Sequence, residues 1–391
     1  MKSERVYRVA SHASFSSLPH ALRVMNVVTF LYMLGWGIGG PFFALFLKER
    51  LNSYASVGFV WGLLPLFAIL VALVLGQILD SVHKRSVIRL IMFLYIPFSG
   101  LLLGVVSLAG FVVFRAYHSI IATSFWVSGE SYVRYHSSKG KEAEAIGSWD
   151  FASGISGVIG GVIGAVLVYV LGWNVLYAIS VCSFLAFVAS WWLPDHDKFG
   201  KHVRLTSMVT ECKDFLADKK LVRLSAVAFL FTFGVAVTGM MLPLVLSKIG
   251  ASLFQVGLVS AVFSLPAFVE PWFSRFKKKY ALLAVSLLVC ALLFGIMFFL
   301  SNVFLWFVVA LLLGLGFSAA QPALFGSMTK AMPRSKIGEL SSVLFAVRSV
   351  GAALGPFVAG MLSQSYGLGW AFVVSGVLFV IALCLLKKKD L

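Results

Sequence analysis

Charge is scarce in this chain, and acidic residues are the scarcest. Only 12% of the 391 residues are charged, Asp and Glu number 15 against 32 Lys and Arg, and 60% of the residues are hydrophobic. A soluble domain has about a quarter of its residues charged and slightly less than half apolar. The shortage of charge therefore excludes an ordinary soluble protein and indicates a chain surrounded by a lipid bilayer.

Cysteines and nucleotide-binding motifs are also few. The four cysteines, at positions 182, 212, 290 and 384, form no Cys-x-x-Cys pair, so neither a disulfide framework nor a zinc site is expected. No G-x-x-x-x-G-K-[ST] phosphate loop is present, which argues against transport driven by ATP. The run Asp195-His196-Asp197 directly follows an apolar run and is interpreted as a solvated helix end. We therefore expect no metal and no cofactor.

Long apolar runs dominate what remains. A helix needs about 20 apolar residues to cross a bilayer, and a crossing segment must be helical because lipid offers no partner for backbone N–H and C=O groups. The twelve predicted spans are 24–47, 56–79, 87–107, 109–131, 146–170, 174–193, 224–246, 254–274, 281–300, 303–328, 340–363 and 370–386. This pattern predicts an all-α membrane protein with twelve transmembrane helices.

Lysine and arginine are distributed unevenly between the loops. Most of them lie in alternate connections and at the two termini, whereas the other loops hold only Lys48, Arg50 and Lys248. Positive residues mark the cytoplasmic side, so both termini are predicted to be cytoplasmic in a multi-pass protein of the cytoplasmic membrane. The net charge of +17 is then a signal of topology, and nucleic acid is not expected as a partner.

The two halves of the chain resemble each other. VGFVWGLLPLF at Val57 is echoed by VGLVSAVFSLPAF at Val256, and LGWNVLYAIS at Leu171 by LGWAFVVSGV at Leu368, both about 200 residues further on. Such an echo predicts two six-helix halves related by a pseudo-twofold axis. The expected divisions are a cytoplasmic segment 1–23, a six-helix bundle 24–197, a cytoplasmic linker 198–223 with an amphipathic helix, and a second bundle 224–391.

Two motifs connect the chain with a known family. The loop GQILDSVHKR follows the second span, and its Gly76, Asp80, Lys84 and Arg85 match the pattern G-x-x-x-D-[RK]-x-G-[RK]-[RK], whereas Ser81 and His83 depart from it. The chain therefore resembles the major facilitator superfamily. In the fourth span, FVVFRAYHS is similar to that family's pattern l-x-x-x-R-x-x-q-G.

This resemblance implies a protein that is not an enzyme. It implies a secondary transporter in the lipid bilayer, acting on a small-molecule substrate by alternating access and expected to be a monomer. It also implies a cytoplasmic gate in which Asp80 docks near Glu339–Ser342 and Arg85 meets an acid at the inner end of span four or five. The residues assigned to gating are Gly76, Asp80, Lys84, Arg85, Glu130, Arg134 and Asp150.

The fourth span carries the strongest candidate for a polar site. An arginine at the bilayer centre must face protein or water because its exposure to lipid is costly. Arg115, His118 and Ser119 share one helix face, which Thr123 and Trp126 continue. We predict that this face lines a central cavity; the alternative is that Arg115 only bonds carbonyl groups of a neighbouring helix.

Arg348 in span eleven leaves two interpretations open. It is predicted either to contact substrate or to form an ion pair with Glu270 in span eight. The remaining candidates for substrate contact are polar, aromatic or sulfur-containing residues of spans one, seven and ten: Asn26, Tyr32, Trp36, Thr238, Met241 and Gln321.

Small residues form runs in spans five and eleven. GAALGPFVAG in span eleven fits the G-x-x-x-G-P pattern that the family's antiporters carry in span five, whereas span five of this chain has SGVIGGVIGA without the proline. Close packing of helices explains both runs equally well.

Coupling and substrate remain hypotheses at this point. Proton coupling is inferred from His118, Asp150 and Glu270, the few titratable groups within the spans. An aromatic cavity with few acids suits the export of hydrophobic, drug-like compounds, whereas buried arginines suit uptake or exchange of an organic anion or a sugar-like metabolite. A membrane sensor that retains the fold without transport is the alternative from another class.

Overall fold

In the residues that it describes, the computed structural model consists of helices joined by short turns. The described residues are 18–79, 82–138, 141–194, 215, 218–273, 276, 278–331 and 337–387. The first half contains α1 (His20–Leu51), α2 (Tyr54–Leu79), α3 (Lys84–Tyr95), α4 (Phe98–Gly104), α5 (Leu108–His136), α6 (Glu142–Leu171) and α7 (Tyr177–Ser190). The second half contains α8 (Lys219–Lys248), α9 (Leu253–Ser264), α10 (Glu270–Phe273), α11 (Lys279–Phe299), α12 (Val303–Ala331), α13 (Ile337–Tyr366) and α14 (Gly369–Leu385).

The helices account for the predicted membrane spans. In the described part of the chain, nine segments are long and apolar enough to cross a membrane, and two shorter apolar helical segments lie at 253–269 and 369–385. One of the nine, 144–190, contains both α6 and α7 joined by the 3-10 turn Gly172–Leu176. The twelve helical crossings expected from the sequence are thus all represented, and the prediction of an all-α membrane protein is confirmed.

Proline interrupts two of these crossings. The third span is divided into α3 and α4 at Pro97, which stands at the N-cap of α4 and has no N–H to continue the helix before it. The eighth span changes at Leu265–Val269 from α-helix to a 3-10 turn, with Pro266 in its first turn, before α10 begins. Apolar patterning alone did not predict either interruption.

The bundle has two ends, which we name by the chain. The proximal end is where α1 begins and α14 ends; the distal end holds the turns after α1, α4, α6, α8, α11 and α13. At the distal end Asn52 closes α1 with a φ of 49°, and its N–H donates to the Lys48 carbonyl. Gly367, with a φ of 103°, makes the corresponding turn after α13, where a residue without Cβ is favoured.

Two contacts of the same kind join the halves. α2 packs on α13, where a Cβ added to Gly58 would lie 3.0 Å from the Gly360 Cα, and α6 packs on α9, where one added to Gly161 would lie 2.9 Å from the Ala261 Cβ. Because α2 and α9 begin with the echoed sequences, the two contacts are copies of one arrangement. This is the relation that a pseudo-twofold axis between six-helix halves requires.

The small-residue runs of spans five and eleven pack in equivalent ways inside each half. In α6, Gly160 and Gly164 lie directly against the backbone of α1 at Gly37 and Ile38. In α13, Gly351 and Gly355 lie against the backbone of α8 at the carbonyls of Phe229 and Phe233. The absence of a side chain at these four glycines lets the helices approach closely, which agrees with the packing interpretation of both runs.

Several predictions fall wholly or partly outside the described residues. Asp80 is one of them, and its docking near Glu339–Ser342 therefore stays a prediction. Gly76 lies within α2, and Lys84 begins α3 and is buried. The predicted linker helix also falls mostly outside, but Asp218 is described. It caps α8 by accepting from the N–H groups of Lys220 and Leu221, which explains why α8 begins before the predicted span at 224.

Candidate functional site

A cavity of about 470 Å³ lies between the two halves. Its volume is in the range of pockets that hold small organic ligands. Among the residues that line it, the predicted ones are Tyr32, Trp36, Arg115, His118, Trp126 and Thr238. The residues predicted from the sequence therefore include lining residues from both halves of the chain.

Arg115 occupies the polar corner of this cavity and is almost completely buried. Its Nε donates to the Val60 carbonyl at 2.9 Å, and Nη1 lies 3.1 Å from His118 Nδ1. The guanidinium lies over the rings of Phe43, at 4.5 Å, and Trp61, at 5.7 Å. Arg115 thus bonds a carbonyl of a neighbouring helix and also lines the cavity, so it does more than the alternative interpretation allowed.

The register between α5 and α2 fixes this position. Ser119 lies one turn after Arg115, and its hydroxyl donates to the Leu64 carbonyl at 3.0 Å. Arg115 and Ser119 are four residues apart, as are the two carbonyls that they bond on α2. Two bonds with matching helical spacing hold α5 along α2 and leave the rest of the guanidinium directed away from the contact.

His118 forms a stack with Trp36. The rings are 4.7 Å apart and nearly parallel, at 5°, and Phe98 meets the imidazole edge-on at 4.9 Å. A guanidinium can only donate hydrogen bonds, so the Nδ1 atom that faces Arg115 must accept. This contact therefore assigns His118 the neutral form with its proton on Nε2.

A pair of tyrosines adjoins this stack. The hydroxyls of Tyr32 and Tyr95 are 2.8 Å apart, and the Tyr32 ring contacts Phe125 at 4.5 Å. Both tyrosines are buried. The pair joins α1 to α3, and Tyr32 also lines the cavity.

The opposite wall is formed by the second half and differs in chemistry. Its three hydroxyl groups already donate to their own helices: Thr238 to the Gly234 carbonyl at 2.9 Å, Ser260 to Val256 at 2.9 Å and Ser264 to Ser260 at 3.0 Å. The rest of this wall is apolar, with Leu242, Pro243 and Phe263. It therefore presents apolar surface and acceptor oxygens to a ligand, and no hydroxyl hydrogen.

Acidic residues lie outside the cavity. None of the described residues that line it is Asp or Glu. Glu270 accepts a hydrogen bond from Gln321 Nε2 at 3.3 Å, and the charge of Asp150 acts on it from the other half. The rings of Phe151 and Phe268, 5.9 Å apart, bring α6 and the end of the eighth span together beside this pair.

Three predicted contact residues do not line the cavity and serve other purposes. Asn26 is buried, and its Nδ2 donates to Ser148 Oγ at 3.2 Å, which ties α1 to α6. Met241 is fully buried in packing, where Ser363 Oγ lies 3.7 Å from its sulfur. Gln321 donates a hydrogen bond to Glu270 instead of facing the cavity. In these cases the rotation of the helix directs the side chain away from the cavity.

The prediction of an ion pair between Arg348 and Glu270 is wrong. Glu270 is bonded to Gln321, whereas the Arg348 guanidinium lies 3.8 Å from the centre of the Phe325 ring. The buried Nε of Arg348 has no hydrogen-bond partner in the described part of the chain. Arg348 is not among the residues that line the cavity either, so the predicted substrate contact is also not seen.

Two of the residues assigned to gating form an ion pair, and their role in gating stays a prediction. Glu130 forms an ion pair with Arg134 on its own helix at 2.6 Å, and its charge also acts on Asp150. Both partners of this pair are exposed, and exposed pairs contribute about 0–1 kcal/mol. The predicted contact between Arg85 and an acid stays a prediction.

Sequence reasoning missed several aromatic residues in and beside the cavity. Phe43 and Trp61 hold the guanidinium, and Tyr95 bonds Tyr32, yet none was predicted. Phe43 could have been found, because Tyr32, Trp36 and Phe43 recur on one face of α1 at helical spacing. Trp61 and Tyr95 follow no such pattern, since their roles depend on how α2 and α3 pack.

Two similar six-helix halves around a central cavity define a membrane transporter of small solutes. The sequence profile of the Major Facilitator Superfamily matches residues 25–269 and 224–390. The chain belongs to this family, as the resemblance in the two motifs predicted, and members of the family are transporters and not enzymes.

Relatives of known name are distant but cover most of the chain. The multidrug efflux protein YfmO of Bacillus subtilis is 24% identical over 98% of this chain and 96% of its own length. The MFS-type transporter SLC18B1 of Homo sapiens is 25% identical over 88% of this chain and 80% of its own.

Solved structures share the fold at lower identity. A bacterial homolog of the human lysosomal transporter Spinster, inward-facing and unoccupied, gives a TM-score of 0.74 at 15% identity, with 96% of this chain and 97% of that one covered. The nucleoside transporter NupG, as its D323A mutant, gives 0.75 at 15% identity, with 94% and 100% covered. The human organic anion transporter MFSD10 gives 0.69 at 15% identity, with 94% and 99% covered.

Proposed function

We propose that this transporter is a secondary active exporter that carries a small, largely apolar organic solute across the cytoplasmic membrane by alternating access. The observation that supports this best is the cavity of about 470 Å³ with one wall from each half. A solute that touches both halves can be exposed to one side or the other when the halves tilt about it.

The proximal end of the bundle is proposed to face the cytoplasm, because the basic residues of the sequence concentrate there. The glycine contacts of α2 with α13 and of α6 with α9 then close the external side. At the distal end, the Tyr54 N–H donates to Gln364 Oε1 at 2.9 Å, which adds a polar contact between the halves. In this view the conformation is closed to the outside, and export requires these contacts to separate.

Export is favoured over uptake by the chemistry of the cavity and by one relative. The aromatic rings of Tyr32, Trp36, Trp61 and Trp126 offer broad apolar surface and few hydrogen bonds, which suits hydrophobic compounds. The Bacillus subtilis relative, similar over nearly the whole chain, is named a multidrug efflux protein. Both observations support the drug-like alternative of the sequence-based hypotheses.

Proton coupling is proposed to act through Asp150 and Glu270 more than through His118. The two carboxyl groups come from different halves and lie close enough for Asp150 to act electrostatically on Glu270, so two negative charges there would repel each other. A proton on one of them removes this repulsion and favours the approach of the halves at that level. His118, in contrast, is held neutral as the acceptor of Arg115.

The experiment uses purified full-length protein in two stages. A thermal-shift screen of neutral, cationic and anionic aromatic compounds identifies a ligand, since binding to the folded state alone raises the apparent stability. That ligand is then tested for counterflow in proteoliposomes, with Arg115→Ala as a variant of the cavity. We expect counterflow in the wild type. A ligand that stabilises the protein but shows no counterflow would identify a sensor without transport.

A further inference from the structure

We infer that the cavity is built for an amphipathic organic anion, with a carboxylate or sulfonate at Arg115 and an apolar body against the second half. This inference rests on the proposed function in one respect, namely that the same cavity is the transport site. It restricts the proposed hydrophobic solute to compounds that carry a negative charge.

Arg115 is a buried cation without an anionic partner among the residues that the structure describes. Of the five N–H donors of a guanidinium, one is taken by the Val60 carbonyl and one by His118. No carboxylate of the described residues forms an ion pair with it, and no acid lines the cavity. A charge that is buried without a partner is costly. A bound anion would remove this cost, and the remaining donors are available for it.

The surroundings of the guanidinium hold it in place for such a ligand. Two hydrogen bonds and the faces of Phe43 and Trp61 fix its plane. Both rings also line the cavity. A guanidinium fixed in this way can bind a carboxylate through two parallel N–H donors, the strongest geometry available to this pair.

The second half cannot compete for the anionic group. Thr238, Ser260 and Ser264 have used their hydroxyl hydrogens on helix carbonyls, so they present only acceptor lone pairs to the cavity. Such oxygens repel a carboxylate and accept nothing from it. The walls therefore orient the ligand, with the anion towards α5 and the apolar body towards Leu242, Pro243 and Phe263.

The same arrangement disfavours a cationic ligand. An ammonium group in this cavity would meet Arg115 as a like charge, and the lining residues include no acid to neutralise it. Aromatic rings alone would attract it only weakly. Hydrophobic cations, a common type of drug-like compound, should therefore bind less well than anions of the same shape.

The test compares three compounds that share one ring system: 1-naphthoate, 1-naphthamide and 1-naphthylmethylammonium. Binding to the purified full-length protein is measured by thermal shift and by quenching of the tryptophans that line the cavity. We expect the carboxylate to bind about ten- to a hundred-fold more tightly than the amide, the effect of one charge-assisted hydrogen bond, and the ammonium to bind most weakly. An amide or ammonium that binds as tightly as the carboxylate, or a carboxylate without measurable binding, would overturn the inference.

Variants of α5 locate the anion. Arg115→Gln should abolish the preference for the carboxylate, and Arg115→Lys should retain part of it. Ser124→Ala is the matched control on the same helix, because the Ser124 hydroxyl donates only to the Ile120 carbonyl of α5 and Ser124 does not line the cavity. If Arg115→Gln does not fold, the comparison of the three compounds on the wild type still tests whether the cavity prefers an anion. A preference that Arg115→Gln leaves intact would place the anion elsewhere and contradict the assignment.

The two proposals fail in different ways. Tight binding of naphthoate without counterflow would support the anion site and contradict the proposed transport function. Counterflow of a neutral or cationic compound, together with no preference for naphthoate, would support the proposed transport function and contradict the anion site.

Discussion

Arg115 is the residue on which most of the chemistry of the cavity depends, and the sequence identified it for a sound reason. An arginine in the middle of an apolar span has to face protein or water, and the structure places it between a carbonyl of α2 and the cavity. The sequence did not reveal that Arg115 would have no acid partner in the described part of the chain, because that depends on where the carboxylates lie after folding.

Adjacent residues can have opposite roles, as Met241 and Leu242 show. Met241 was predicted to contact the solute, but it is fully buried in packing, and Leu242 lines the cavity instead. The two side chains point about 100° apart around the axis of α8. The identity of a single residue in the sequence does not determine which of the two faces the cavity.

This difference gives a direct prediction. Met241→Ala should lower the stability by about 2–5 kcal/mol, the usual result of truncating a packed core side chain, with little change in which solutes bind. Leu242 is also buried but lines the cavity, so Leu242→Ala should change solute affinity as well as lower the stability. Melting curves and binding measurements on both variants check this. The assignment fails if Met241→Ala alters solute preference while Leu242→Ala does not.

A second prediction concerns Glu270. Glu270→Gln removes the charge that Asp150 acts on, so accumulation driven by a pH gradient should be lost while counterflow without a gradient persists. Solute uptake into proteoliposomes with and without an imposed pH gradient measures both. Glu49→Gln is the matched control, since Glu49 bonds Trp173 and lies near the distal end of α1. Gradient-driven accumulation that survives in Glu270→Gln would exclude this coupling site.

At the scale of helices, the small residues of α2, α6 and α13 determine how closely the halves and their helices approach. The sequence showed these runs but left open whether they meant close packing or an antiporter signature. The structure places their glycines against neighbouring backbones. The breaks at Pro97 and Pro266 are a contrasting case. Each proline was visible in the sequence, but the apolar run continued past it, so patterning predicted an unbroken span.

The glycine contact between α2 and α13 can be tested by one substitution. A Cβ at Gly58 would collide with the Pro356 carbonyl, so Gly58→Val should prevent the distal end from closing. Transport should fall about ten- to a hundred-fold, as expected for a packing cost of about 1–3 kcal/mol in the closed state. Gly147→Val is the control, because nothing lies within 4 Å of a Cβ there. Equal activity of the two variants would show that this contact does not limit transport.

At the scale of the whole molecule, the sequence predicted the fold well. Apolar runs predicted the helical crossings, and the echo between Val57 and Val256 predicted two related halves, because both follow from the periodic chemistry of long segments. The cavity was predicted less completely. Its shape depends on the rotation and tilt of the helices, and the ion pair between Arg348 and Glu270 was inferred from depth alone and is absent.

The proposed orientation is open to a simple test of topology. If the basic loops face the cytoplasm, a green fluorescent protein fused to the C-terminus should fluoresce and an alkaline phosphatase fused there should be inactive in a bacterial host. The same fusions placed after Lys248, in a predicted external loop, should give the opposite result. Active phosphatase at the C-terminus would reverse the assignment of the cytoplasmic side.

Movement of the halves about the cavity is the central claim, and distances between spin labels measure it most directly. One pair of labels is placed at the distal end, at Arg50 and Ser247. The other pair is placed near the proximal end, at Tyr135 and Lys330. All four residues are exposed, and each pair has one label in each half. Double electron–electron resonance is recorded in a variant with serine at the native cysteines, with and without ligand and at two pH values. We predict that one distance lengthens whenever the other shortens. Distances that stay constant under all conditions, or that change in the same direction, would contradict alternating access.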